Sequence, residues 1–117
     1  MLEWYWRLLD ELSGDARLGL SDLYRVAAQN DITVDFYRME KCEALALMDE
    51  EGDAHIAIDP RKLKGKPDEI AKLGVMLGHC LTGAFYGPKA PPALRKRQRQ
   101  RAEAWAEVFL RKGEVTR

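Results

Sequence analysis

Apolar residues recur every three or four positions in four stretches of the chain, and this spacing predicts four helices. The first runs from Leu2 to Leu12, and the second from Ser21, a candidate N-cap, to about Asn30. The third begins at Pro67, which suits the first position of a helix, and runs to about Phe85. The fourth spans about Ala93 to Arg111, with Gly113 just past its end.

Between the second and third helices the period changes: apolar residues alternate with polar ones from Ile32 to Phe36, which is typical of a half-buried β-strand. Ala44 to Met48 and Ala54 to Ile58 are two further β-like runs, and Glu50 to Asp53 predicts a hairpin turn between them. The order of elements predicts an α+β fold, a small antiparallel sheet of about three strands packed with four helices. We assign residues 1–117 to a single domain, since 117 residues is the length of one domain.

The composition is that of a soluble globular protein, with 46% hydrophobic and 32% charged residues. No apolar run approaches the roughly 20 residues that a membrane span needs. The first residues lack the basic region and apolar stretch of a secretory signal. Two cysteines, Cys42 and Cys80, are too few for a disulfide framework, which favours a reducing, cytoplasmic setting.

Charge is distributed unevenly along the chain. Residues 1–60 carry 5 Lys and Arg against 14 Asp and Glu, a balance of −9, and residues 61–117 carry 14 against 5, a balance of +9. The halves either pair within the fold or leave a basic surface for an acidic partner. Five cations of the last predicted helix are Arg95, Lys96, Arg97, Arg99 and Arg101. They form either a solvated face or a contact surface for an acidic protein or a nucleic acid.

The aromatic residues Trp4, Tyr5 and Trp6 cannot all face one core, since consecutive helical residues point in different directions. Trp6 fits the apolar stripe of the first helix. Trp4 and Tyr5 either pack against the sheet or are exposed anchors for a partner. These two aromatics and the five cations are the candidate partner-binding residues.

Three segments resemble the ImmA/IrrE-like HExxH metallopeptidases. IAIDP at residues 56–60 and LGHCLTGAFY at residues 77–86 are similar to the family pattern IAIDP … HELGHCLTGAFY. RAEAWA at residues 101–106 is similar to its RADKWA segment. The resemblance is dense from about residue 44 to residue 106, and it implies a zincin-like minimal domain.

The zinc site of that family is degenerate in this chain. In an HExxH helix, both histidines bind zinc from one face, the glutamate is the general base, and a glutamate of the following helix is the third ligand. Aligned without gaps, these four positions hold Val75, Met76, His79 and Arg99. One ligand of three remains, and Arg99 is a cation that repels a metal. Glu103, one turn further, would still leave two ligands and no general base, so we expect no catalytic residue, no metal and no cofactor.

His79 is then either a core histidine or a weak metal contact. Cys80 is a poor partner for the same ion, because adjacent helical residues point about 100° apart. A structural ion would require the sheet to bring Cys42 or His55 near His79.

The resemblance thus implies a pseudo-metallopeptidase that is not an enzyme and acts by binding a protein. Family members commonly occur in phages and other mobile elements, where they cleave a repressor, which implies a phage or prophage regulator or an inhibitor of host defence. Two alternatives are a divergent metal-dependent peptidase that cleaves a repressor and a nucleic-acid-binding module that uses the basic last helix. The neutral net charge and the lack of a helix-turn-helix signal favour an acidic protein partner over nucleic acid.

Overall fold

The computed structural model of the protein describes residues 19–116, and for residues 112–116 it describes the helical backbone alone. This part of the chain contains three α-helices: α1 at Leu20–Gln29, α2 at Lys66–Thr82 and α3 at Pro92–Thr116. The helix expected from Leu2 to Leu12, including Trp4 and Tyr5, lies outside the described residues.

The helix ends differ from the predicted ones in three places. Gly19, not Ser21, is the N-cap of α1, and the carboxylate of Asp22 accepts a hydrogen bond from the Gly19 N–H at 2.9 Å. Helix α2 stops before Phe85, because Gly83 adopts a left-handed conformation (φ 67°) that ends the helix. Helix α3 continues through Gly113, since a glycine inside a helix costs only about 1 kcal/mol relative to alanine.

Three strands form one sheet in the order β1-β3-β2, with β1 at Thr33–Phe36, β2 at Ala44–Met48 and β3 at Ala54–Ile58. β2 and β3 form the predicted antiparallel hairpin, but β1 pairs with β3 in parallel, so the expectation of a purely antiparallel sheet is wrong. β1 and β2 are therefore the two edge strands of this sheet, and β3, the last strand in the sequence, lies between them. The fold is α+β with a mixed sheet.

A buried carboxylate holds the loop between β1 and β2. Asp59, which directly follows β3, has a fully buried side chain. It accepts hydrogen bonds from the Met39 N–H at 2.9 Å and from the Arg61 guanidinium at 2.8 Å. These bonds fix the loop that carries Cys42 and Glu43 to the start of β2.

Helix α2 is central, since it packs against α1, the sheet and α3. Of its predicted apolar face, Ile70, Leu73 and Leu77 are buried and Leu81 is half-buried. The buried members of the main core are Leu23, Ala27, Ile32, Ile56, Ile58, Ile70, Ala71, Leu73, Leu77 and Leu110.

Small residues let α2 and α3 approach closely. Gly74 and Gly78 are four residues apart on α2, and they face Ala106 and Ala102 on α3. A Cβ atom on Gly78 would lie 2.3 Å from the carbonyl oxygen of Ala102, whereas one on Gly74 would lie 3.4 Å from the Cβ of Ala106. The backbones therefore nearly touch at Gly78, and this crossing sets the distance between the two helices that carry the candidate site.

Candidate functional site

A cavity of about 360 Å³ lies where α2, α3 and the start of β2 meet. Four of its lining residues have the i, i+3, i+4, i+7 spacing of one helix face on α2. The lining residues are Lys72, Val75, Met76 and His79 of α2, Arg99 and Glu103 of α3, and Cys42, Glu43, Ala44 and Tyr86. The cavity thus gathers Val75, Met76, His79 and Arg99, the four positions that the alignment with the zinc peptidases singles out.

A second cavity, of about 400 Å³, adjoins the first and follows strand β2 as far as Ala46. The two cavities share five lining residues: Cys42, Ala44, Met76, His79 and Tyr86. Together they form one depression beside β2, which we call the β2 groove.

His79 is buried, and its ring is held by one hydrogen bond. Its Nδ1 lies 2.8 Å from the carbonyl oxygen of Ala84, which only accepts, so Nδ1 carries the proton. Burial lowers the pKa of His79, and the charge of Arg99 lowers it further, although the bond to Ala84 acts the other way. The neutral ring therefore keeps its lone pair on Nε2. The ring of Tyr86 packs edge-on against the His79 ring, with 6.2 Å between the two ring centroids.

Lys72 supplies a buried cation that the sequence reasoning missed. Its Nζ lies 2.9 Å from Oδ2 of Asp68 and 3.2 Å from Oε2 of Glu43. Burial opposes the charged ammonium, but the bonds with Asp68 and Glu43 outweigh it and raise the pKa of Lys72. The sequence could have indicated it, because Lys72 lies four residues before Met76 and so shares with it one face of α2.

Arg99 and Glu103 lie one turn apart on α3 at the other side of the cavity. Arg99 is exposed, and within the described part of the chain its guanidinium forms no hydrogen bond or ion pair. Glu103 is half-buried, and burial raises the pKa of its carboxyl although Arg99 acts in the opposite direction.

These side chains do not fit a zinc ion. His79, Cys42, Glu43 and Glu103 line the first cavity, but no three His, Cys, Asp or Glu side chains among residues 19–111 converge as a metal site would require. The cations of Lys72 and Arg99 border the same space and oppose a metal.

The other candidate metal ligands lie elsewhere. His55 bonds to Thr33 at 2.6 Å and to Asp49 at 2.7 Å, and it does not line the β2 groove. Cys80 faces a different cavity, and burial raises the pKa of its thiol to about 11, so it stays a thiol at neutral pH. Only Cys42 reaches the cavity of His79.

Two of the five cations of the basic run, Arg95 and Arg101, contact residues before α3. Arg95 donates to the carbonyl oxygens of Ala90 and Pro88 and lies over the ring of Tyr86, 5.8 Å from its centroid. Arg101 donates to the carbonyl oxygen of Thr82 at 2.6 Å. These two arginines therefore hold the loop between α2 and α3.

Lys96 and Arg97, by contrast, are exposed and have no partner in the described region. With Arg99 they are the cations of the run that form no hydrogen bond or ion pair among the described residues. The expectation that the five cations form a contact surface for a partner stays a prediction.

Among the residues that the structure describes, strand β2 is an edge of the sheet with no further strand beside it. The N–H of Asp59 donates to the backbone carbonyl oxygen of Glu43, and the N–H of Asp49 donates to that of Asp53. The backbone N–H and C=O groups of the odd-numbered residues of β2 therefore point toward β3. The N–H and C=O groups of Ala44, Ala46 and Met48 point outward, and none is hydrogen-bonded within the described residues. The strand carries no charge, and Leu47 and Met48 are 43% and 51% exposed.

Comparison with known proteins found no family model, curated protein or solved structure that matches this chain. The resemblance to the ImmA/IrrE-like family therefore rests on the sequence segments alone. Among the described residues, no helix is long and apolar enough to cross a membrane.

Proposed function

We propose that the protein is a non-catalytic, zincin-like relative of the ImmA/IrrE-like metallopeptidases that acts by binding another protein. One observation carries the proposal: the four aligned positions share one cavity, yet three of them hold Val75, Met76 and Arg99. A valine and a methionine supply neither zinc ligand nor general base at this site, and an arginine replaces a ligand with a cation. The cavity therefore lacks the ligands and the general base that zinc peptidase chemistry needs.

The β2 groove is the proposed binding surface. An extended segment of a partner can pair with the outward N–H and C=O groups of Ala44, Ala46 and Met48, as in β-strand addition. Alternate side chains of such a segment then point into the groove. The open, uncharged edge supports this mode, because proteins usually protect a free edge with charges, proline or a bulge.

The exposed cations favour an acidic partner. Lys96 and Arg97 lie on the same helix as Arg99, which lines the groove. Complementary charge would raise the rate and selectivity of association more than the affinity. The sequence resemblance supports, as part of this proposal, a partner in the cytoplasm of a phage-infected or prophage-bearing host, with the protein as a regulator or an inhibitor of host defence.

The test is capture of the partner from a host lysate by the immobilised chain, followed by mass spectrometry of what is retained. We expect a partner recovered at full length and near equimolar amount. Lys96→Glu with Arg97→Glu should weaken its capture. Arg38→Glu with Lys66→Glu, an equal charge change at two exposed cations outside α3, should leave it intact.

Other outcomes would identify the alternatives. A partner recovered as defined fragments, with stoichiometric zinc in the purified chain, would overturn the proposal in favour of a divergent peptidase. Retention of nucleic acid alone, with a strong salt dependence, would favour the nucleic-acid-binding module.

A further inference from the structure

The polar groups of the first cavity differ in what they leave unused. The ammonium of Lys72 is occupied by Asp68, Glu43 and the carbonyl oxygen of Lys62 at 3.3 Å. Glu43 is in turn paired with Lys72. Arg99 has five N–H donors and, in the described part of the chain, no acceptor for any of them. The cavity therefore offers an unused planar cation.

The residues around Arg99 accept no hydrogen bond from its guanidinium in the described structure. Glu103 is one turn away on the same helix, but no ion pair or hydrogen bond joins the two side chains in the described structure. His79 is neutral, with its proton on Nδ1, and provides no counter-charge. Glu103 attracts Arg99 through its charge without contact, so the N–H donors of Arg99 are left for an acceptor from outside these residues.

Apolar side chains line the same cavity as Arg99. Val75 is buried and Met76 is half-buried, and both present apolar surface to the cavity. An arginine–carboxylate pair is bidentate, which adds geometric specificity to the attraction between the charges.

We infer that the cavity is a carboxylate-binding site, in which Arg99 receives an acidic side chain or the C-terminal carboxylate of a bound segment. This inference rests on the proposed function, because the cavity is the end of the β2 groove in which that segment lies. It assigns a specificity to the groove: a segment with a carboxylate at this position binds in preference to its neutral counterpart.

Three short peptides test the site without the natural partner: acetyl-Ala-Glu-Ala-amide, acetyl-Ala-Ala-Ala with a free C terminus, and neutral acetyl-Ala-Gln-Ala-amide. Binding is followed by NMR of the ¹³C-methyl signal of Met76, assigned with Met76→Leu. We expect saturable shifts with one or both carboxylate peptides and about tenfold weaker binding of the neutral one. Which carboxylate peptide binds more tightly identifies the source of the group.

Variants separate a specific site from general attraction. Arg99→Gln should weaken carboxylate binding by about tenfold or more, and Arg99→Lys, which keeps the charge but loses the planar fork, should fall between. Arg38→Gln, at an exposed arginine outside the groove, should bind as the wild type does. Equal binding of all three peptides, or unchanged binding by Arg99→Gln, would overturn the inference.

The lysate capture distinguishes this failure from failure of the proposed function. If Arg99→Gln captures the full-length partner as well as the wild type does, the carboxylate site is refuted and protein binding stands. If the wild-type chain binds the carboxylate peptides but captures no protein, the proposed function fails and the carboxylate site stands.

Discussion

Replacing Gly78 by alanine should separate the two helices that carry the candidate site. The added Cβ would lie 2.3 Å from the carbonyl oxygen of Ala102 and 2.9 Å from its Cα, and ordinary contact begins at 3.4 Å. Both obstructing atoms belong to the backbone, so no side-chain rotation relieves the clash. Helix α3 must move by about 1 Å, which loosens the packing of Val75 against Ala102 and Ala106.

The size of the effect follows from two opposing terms. Alanine is favoured over glycine inside a helix by about 1 kcal/mol. Overpacking a tight contact costs about 1–3 kcal/mol and more where backbone must shift. Since the distance is 2.3 Å and the atoms are backbone, we expect the upper end of that range and a net loss of about 2 kcal/mol in the free energy of unfolding.

Gly74→Ala is the matched control, because it is the same substitution one turn earlier on the same face of α2. Its Cβ would meet the Cβ of Ala106 at 3.4 Å, an ordinary contact, so this variant should be as stable as the wild type or up to about 1 kcal/mol more stable. Urea unfolding monitored by circular dichroism at 222 nm measures both. Equal stability of the Gly78→Ala and Gly74→Ala variants would refute the close crossing at Gly78.

Three further predictions concern the charges around the site. Because the pKa of His79 is lowered in the folded state, its contribution to stability is complete above the unfolded-state pKa of about 6.5 and is lost as the pH falls below that value. Between pH 7 and 5 the free energy of unfolding, measured with urea, should therefore fall more for the wild type than for His79→Gln. Parallel pH profiles of the two proteins would contradict this. Lys72→Met should cost about 3 kcal/mol in urea unfolding because Asp68 remains buried without its ammonium, and adding Asp68→Asn should recover part of the loss; no recovery would argue against the pairing. Arg101→Gln should cost about 1 kcal/mol in thermal unfolding and Lys96→Gln less than about 0.5, and the reverse order would contradict the assigned contacts.

Local patterns in the sequence were enough for the elements but not for their arrangement. β2 and β3 were predicted with their observed ends, because short apolar runs and an intervening turn are both local signals. The parallel pairing of β1 with β3 was missed, because alternation does not say which strands are neighbours.

The site was predictable as far as helical spacing reaches. Val75, Met76 and His79 share a face of α2 by their separation alone, and the alignment adds Arg99. The pairing of Lys72 with Glu43 depends on how the loop before β2 approaches α2, which no local pattern contains. The contacts of Arg95 and Arg101 were missed for a different reason. A helical projection shows where a side chain starts, but a long guanidinium side chain can turn back to a loop carbonyl.

Zinc titration by isothermal calorimetry tests whether the cavity is a zinc site that has lost its ligands. The unmodified chain should bind no zinc at His79, and Val75→His alone should not restore it, because Arg99 still opposes the ion. The triple variant Val75→His, Met76→Glu, Arg99→Glu should bind one zinc ion per chain, since its ligands then come from the two helices that already share the cavity. Tight zinc binding by the unmodified protein that His79→Ala abolishes would contradict a binding scaffold without metal chemistry.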